Sequence, residues 1–110
     1  MMKEQHDTEI HWKGILVGHL LEPMPDMWYL EGRWVPLRIA EASIFTDLVS
    51  NFDMKAVFRD LTKGTRIKLR YEIGGKLFDG VAISISEGNL FLRRIFDTDA
   101  IKWATENIPE

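Results

Sequence analysis

The chain has no cysteine, which excludes a disulfide framework, a thiolate metal site and a cysteine nucleophile. That absence fits a reducing compartment. Long apolar runs are missing too: nowhere does the chain approach the roughly 18 consecutive apolar residues that a membrane-spanning helix needs. The opening residues, Met1 to Glu9, are polar and acidic where a secretory leader carries a positive stretch followed by an apolar one. The expectation is a soluble, cytoplasmic protein with no membrane partner.

The short patterns that carry chemistry are equally sparse. Histidine occurs only at His6, His11 and His19, and no two of these stand at the spacings that aim both rings at one metal from a strand or a helix. None of Ser43, Ser50, Ser84 and Ser86 lies in a G-x-S-x-G elbow. Gly74-Gly75-Lys76 falls between two strand-like runs, where its role is to turn the chain rather than to cradle a phosphate. Glu22 and Asp26 flank Pro23-Met24-Pro25, with Glu31 further on. Glycosidase chemistry would need such carboxylates held at a fixed separation across a cleft, and on loops they read as solvated charges. No catalytic residue, metal or cofactor is assigned, and the reading leans away from an enzyme.

What is present suffices for one core. With 110 residues, 45% hydrophobic and 28% charged, the composition is that of an ordinary globular domain. Residues 1–9 read as a flexible tail and residues 10–110 as a single domain. The net charge of −3 hides an asymmetry: residues 1–54 carry four Lys/Arg against nine Asp/Glu, and residues 55–110 carry ten against eight. Residues 55–76 alone carry seven Lys/Arg against two Asp/Glu.

The periodicity argues for a mostly antiparallel sheet. In residues 65–73, Ile67, Leu69, Tyr71 and Ile73 alternate with Arg66, Lys68, Arg70 and Glu72, as on a half-buried strand. Gly74-Gly75 then suits a two-residue hairpin into an apolar run from Leu77 to Ile85, and Glu87-Gly88-Asn89 turns the chain into Leu90 to Ile95. In the middle run, Val81, Ile83 and Ile85 share one face and Ala82, Ser84 and Ser86 the other. Earlier, His11 to Leu21 reads as one strand interrupted by Gly14 and Gly18 and ended by Pro23 and Pro25. Met27 to Leu30 and Arg33 to Val35 read as a short hairpin around Glu31-Gly32.

From Ala40 the period becomes helical, with Ile44, Phe45, Leu48, Val49 and Phe52 on one face. Asp53 can cap a second helix carrying Met54, Val57, Phe58 and Leu61, and Asp97 a third carrying Ile101, Trp103, Ala104 and Ile108. The expected class is therefore α+β: an antiparallel sheet of about five to six strands, with two to three helices packed on one face or end.

Two surfaces are candidates for function. Met27, Trp28, Tyr29 and Trp34 form an aromatic and methionine-rich run of the kind enriched at protein contacts, although a small domain also needs large aromatics in its core. Arg66, Lys68 and Arg70 project to one side of their strand, and Arg93 or Arg94 could lie beside them to meet an anion or a nucleic-acid backbone. Against that stand the acidic total and the lack of outward stacking aromatics on that strand. The leading expectation is a non-enzymatic module that binds another protein or a second copy of itself. In style it is similar to bacterial accessory or toxin-immunity proteins. Nucleic-acid binding through residues 65–73 is the alternative, and a small-ligand carrier or small enzyme with a pocket the third.

Overall fold

Lys13 and Gly14 both adopt positive φ, 54° and 77°. Two such residues in succession reverse a chain in the tightest hairpin geometry, whose twist matches that of the flanking strands. Thr8–Trp12 (β1) and Ile15–Asp26 (β2) are accordingly antiparallel neighbours, with Thr8 opposite Leu20 and Trp12 opposite Ile15. The stretch from His11 to Leu21 is thus two strands rather than one, and β1 begins inside the segment read as a tail. The computed structural model describes residues 7–110.

β2 continues through both prolines. Among the described residues it pairs beyond Leu20 with β3 on one side only, so the missing proline N–H groups interrupt no described ladder on the other. Tyr29–Pro36 (β3) is also unbroken. Gly32 does not turn the chain: it lets the strands close up, since a Cβ there would lie 2.7 Å from the Leu21 carbonyl oxygen.

Three helices follow the expected caps only in part. Ala40–Ser50 (α1) starts after Ile39, which supplies no side-chain cap. Asp53 caps Met54–Arg59 (α2), accepting from the Lys55 and Ala56 amides at 3.1 and 3.3 Å, and Leu61–Lys63 then makes one 3-10 turn. Thr65–Arg70 (β4), Phe78–Ser86 (β5) and Asn89–Ile95 (β6) pair consecutively and antiparallel. The β4–β5 connection runs over residues 71–77 instead of the two glycines alone, which leaves Ile73 at 93% exposure. Asp97 caps Thr98–Asn107 (α3) through the Ala100 amide at 3.1 Å.

The sheet does not stay open. β3 pairs with β6, and the outer edge of β1 pairs with β4 through Glu9 with Arg70, Ile10 with Leu69 and His11 with Lys68. The described residues therefore form a closed six-stranded antiparallel barrel, ordered β1-β2-β3-β6-β5-β4, with three short helices. The α+β expectation of a sheet carrying helices on one face is corrected. Alternation along each strand reports which residues face inward, but it is silent on whether the first strand meets an edge on the far side.

The core fills the barrel interior. Phe45 of α1 stands 5.5 Å from the rings of both Trp12 and Trp34, tilted against each. Each indole N–H is satisfied inside: Trp12 donates to Thr65 Oγ1 and Trp34 to Thr46 Oγ1, both at 2.9 Å. Because both tryptophans lie near the ends of their strands, α1 covers that end of the barrel rather than lying across a sheet. Only Ala42, Phe45 and Val49 of α1 are buried as a result, while Ile44 and Leu48 remain on the outer side, at 57% and 39% exposure.

A second cluster, with Val81, Ile95, Ala104 and Ile108 at its centre, packs α3 against the outside of β5 and β6. The register of β5 slips between Ala82 and Ser84. That bulge reverses the expected faces, sending Ile85 against the core and Ser84 to the outer side. No helix among the described residues is long and apolar enough to cross a membrane.

The β1–β4 seam is held by a charge cluster. Arg70 reaches Glu9 Oε1 at 2.8 Å through Nη2 and 3.0 Å through Nε, and His11 Nε2 meets the same oxygen at 3.0 Å. Partial burial pushes the Glu9 carboxyl up, but the hydrogen bonds and charges of His11 and Arg70 outweigh it and hold the group below its ordinary range. A carboxyl lowered on folding adds stability that is present above its unfolded pKa and lost as pH falls through the folded one. Glu9→Gln should therefore cost about 1–2 kcal/mol at neutral pH. The gap to the parent chain should narrow below about pH 4, which urea unfolding across the acid range would read. A gap independent of pH would dissociate Glu9 from the acid limb.

Candidate functional site

At the end of the barrel opposite α1, the chain turns between β2 and β3 at Met27 and Trp28. Met27 has φ 56°, an unfavourable value for a side-chain-bearing residue. Arg94 holds the turn in place: its amide donates to the Trp28 carbonyl and its Nη2 to the Met27 carbonyl, both at 2.6 Å. Nη1 of the same guanidinium reaches the Tyr71 hydroxyl at 3.3 Å, and its Cζ lies 5.4 Å from the centre of the Phe96 ring. With its carbonyls bound, the turn presents Met27 and Trp28 outward, at 74% and 49% exposure.

Tyr29 leads β3 away from this turn on the outer face. Its ring stacks on Phe91 of β6 at 5.3 Å and 12°, and on Phe58 of α2 at 5.3 Å and 23°. Phe58 and Phe91 are themselves nearly parallel at 6.5 Å. The Asp53 cap fixes α2, and with it the place of Phe58 in this ladder of three rings.

Shallow grooves flank the ladder. One of about 710 Å3 holds Met54, Lys55 and Arg59 beside the outward Ser84. Another of about 840 Å3 holds Met24 with Glu22 and Asp26, and shares Glu31, Asn89 and Phe91 with the first. On the other side of the turn, a third of about 520 Å3 joins Trp28 to Phe96 and Trp103.

Of the residues singled out for protein contact, Met27, Trp28 and Tyr29 come together here, and Trp34 belongs to the core at 7% exposure. The basic strand is arranged differently from a free cationic face. Arg66 donates through Nε to the Ile108 carbonyl at 2.6 Å, Lys68 pairs with Asp79 at 3.0 Å, and Arg70 is bound to Glu9. Arg93 and Arg94 do not join them, because β5 lies between β4 and β6. Arg94 turns to the barrel end, and Arg93 faces the groove of Trp28 and Trp103.

Phe58, Phe91, Phe96 and Trp103 are the residues that sequence reasoning missed. Phe91 carried a usable signal, since it stands between Leu90 and Leu92 on a strand and must face opposite to them. Phe58 and Trp103 sat at helical spacings that also describe a core stripe, so their exposure was not readable there. Among the described residues, no group of three or more His, Asp or Glu side chains could hold a metal ion; His6 lies outside those residues. Comparison with protein-family models, curated proteins and solved structures finds no match for this chain.

Proposed function

We propose that this chain is a non-enzymatic protein-binding module whose contact surface is the aromatic and methionine face around the β2–β3 turn. One observation carries the reading. Met24, Met27, Trp28, Phe58, Phe96 and Trp103 are all between 47% and 74% exposed: Met24 and Phe58 line the two grooves that share Phe91, Trp28, Phe96 and Trp103 line the third, and Met27 stands at the turn beside Trp28. Burying one such side chain is worth about 1.5–3 kcal/mol. Such a group of large apolar side chains left in water around one turn is characteristic of a contact site, with tryptophan and tyrosine as anchors and methionine adapting to the partner. Barrel closure supports recognition through side chains: among the described residues β2 runs past β1 beyond Leu20, and Pro23 and Pro25 stand on that stretch.

Affinity capture at low and high salt, with nuclease treatment, tests this, using the parent chain beside the pair Trp28→Ala and Phe58→Ala. The expected result is a discrete protein retained by the parent and lost by roughly tenfold or more with the double variant, at unchanged melting temperature. A second copy of the chain retained in the same way identifies self-association. Capture indifferent to both substitutions overturns the reading. Nuclease-sensitive capture abolished by Arg66→Glu and Lys68→Glu would move function to the β4 face.

A further inference from the structure

The groove between β6 and α3 has a chemistry the other two lack. Its lining is apolar apart from two charged residues, Arg93 and Asp97, with Trp28, Phe96 and Trp103 as its large walls. Its volume of about 520 Å3 is within the range of small-molecule sites. Asp97 is already engaged, accepting from the Ala100 amide at the start of α3. Arg93 is not: its Nε is shut off from solvent without a hydrogen-bond partner, and its guanidinium forms no ion pair among the described residues. A buried donor left without an acceptor is costly, and the planar guanidinium fork matches a carboxylate above other acceptors.

We propose that this groove binds an apolar monocarboxylate, an aromatic or branched aliphatic body lying against Trp28, Phe96 and Trp103 with its carboxylate on Arg93. Charge within the groove narrows the class. The one cation of the groove, Arg93, matches one carboxylate, and the Asp97 carboxylate in the same lining disfavours a second negative charge on the ligand. The same group could reach the groove as a free acid or as an acidic side chain beside an aromatic one on a peptide.

The test is an NMR titration of the full chain, following the indole N–H signals of Trp28 and Trp103 and the Arg93 Nε–H. Four probes are compared: indole-3-acetate, indole-3-acetamide, tryptamine and the capped dipeptide acetyl-Trp-Glu-amide. Indole-3-acetate is expected to give saturable shifts in all three signals, with a Kd roughly tenfold or more below that of its amide, and tryptamine to bind more weakly than the acid. Arg93→Met should abolish the preference for acid over amide while leaving amide binding intact; Arg93→Lys, which keeps the charge but loses the fork, serves if the first variant unfolds. Tighter binding of the dipeptide than of the free acid assigns the ligand to a protein partner, and the reverse assigns it to a small molecule. Equal affinity for acid and amide, a preference for tryptamine, or no saturable shift into the millimolar range overturns the proposal. The titration contains no partner protein, so its failure is separate from failure of the protein-contact reading.

Discussion

Phe45→Ala is expected to cost about 3–5 kcal/mol, the range for deleting a fully buried aromatic ring. Phe45 has no exposed surface and lies between Trp12 and Trp34, so the ring's removal leaves a cavity with two indoles on its walls. Those indoles cannot simply collapse into it, because each is tied by its N–H to a threonine. Domains of this size hold only about 5–15 kcal/mol in all, so the variant should stand near its unfolding threshold. Urea unfolding followed by tryptophan fluorescence would read this, with Phe45→Leu as the comparison, expected to lose no more than about half as much. A loss below about 1 kcal/mol for Phe45→Ala would mean that α1 is not what covers this end of the barrel.

Gly18→Ala is the second large effect, and it acts by excess volume. A Cβ at this position would lie 2.5 Å from Trp34 Cη2, 2.6 Å from the Val35 carbonyl oxygen and 2.9 Å from Pro36 Cα. The Trp34 indole does not swing aside, because it is wedged by Phe45, and the other two contacts are backbone of the paired strand. The expected cost is about 1–3 kcal/mol or more, with loss of amide protection in β2 and β3 by hydrogen exchange. Gly14→Ala makes the useful contrast: nothing lies within 4 Å of its added carbon, and only the φ of 77° resists it. About 1 kcal/mol is expected there. Equal losses at the two glycines would contradict the close approach of β2 to β3.

Local chemistry was the legible part of this fold. Asp53 and Asp97 act as caps because a short carboxylate ahead of a helix has few better partners than the free amides of the first turn. The alternation of Arg66, Lys68 and Arg70 against Ile67 and Leu69 likewise translates directly into outer and inner faces. What failed were inferences that needed a second strand. Gly14 and Gly32 look alike in sequence, yet one turns the chain and the other lets two strands meet. The bulge at Ala82–Ser84 moved Ile85 inward, against the simple parity of β5. At the candidate site, Trp28 and Trp34 were equivalent as residue types, and only their distance from the Phe45-filled end separates surface from core. The cations of β4 were similarly unreadable, because Glu9 lies 61 residues from Arg70.

That separation also bears on how the chain reaches its native state. The β1–β2 hairpin can form locally, but its second partner is not available until β4 has been made and positioned, after the whole of β3, α1 and α2. Loop closure over such a span is entropically demanding, and all-β topologies rich in distant pairings fold in milliseconds to seconds rather than microseconds. Until the seam closes, β1 and β4 both expose unpaired backbone. Glu9, His11, Lys68 and Arg70, all on the outer face of these two strands, then serve as charged gatekeepers that discourage pairing with another chain while the correct partner is awaited.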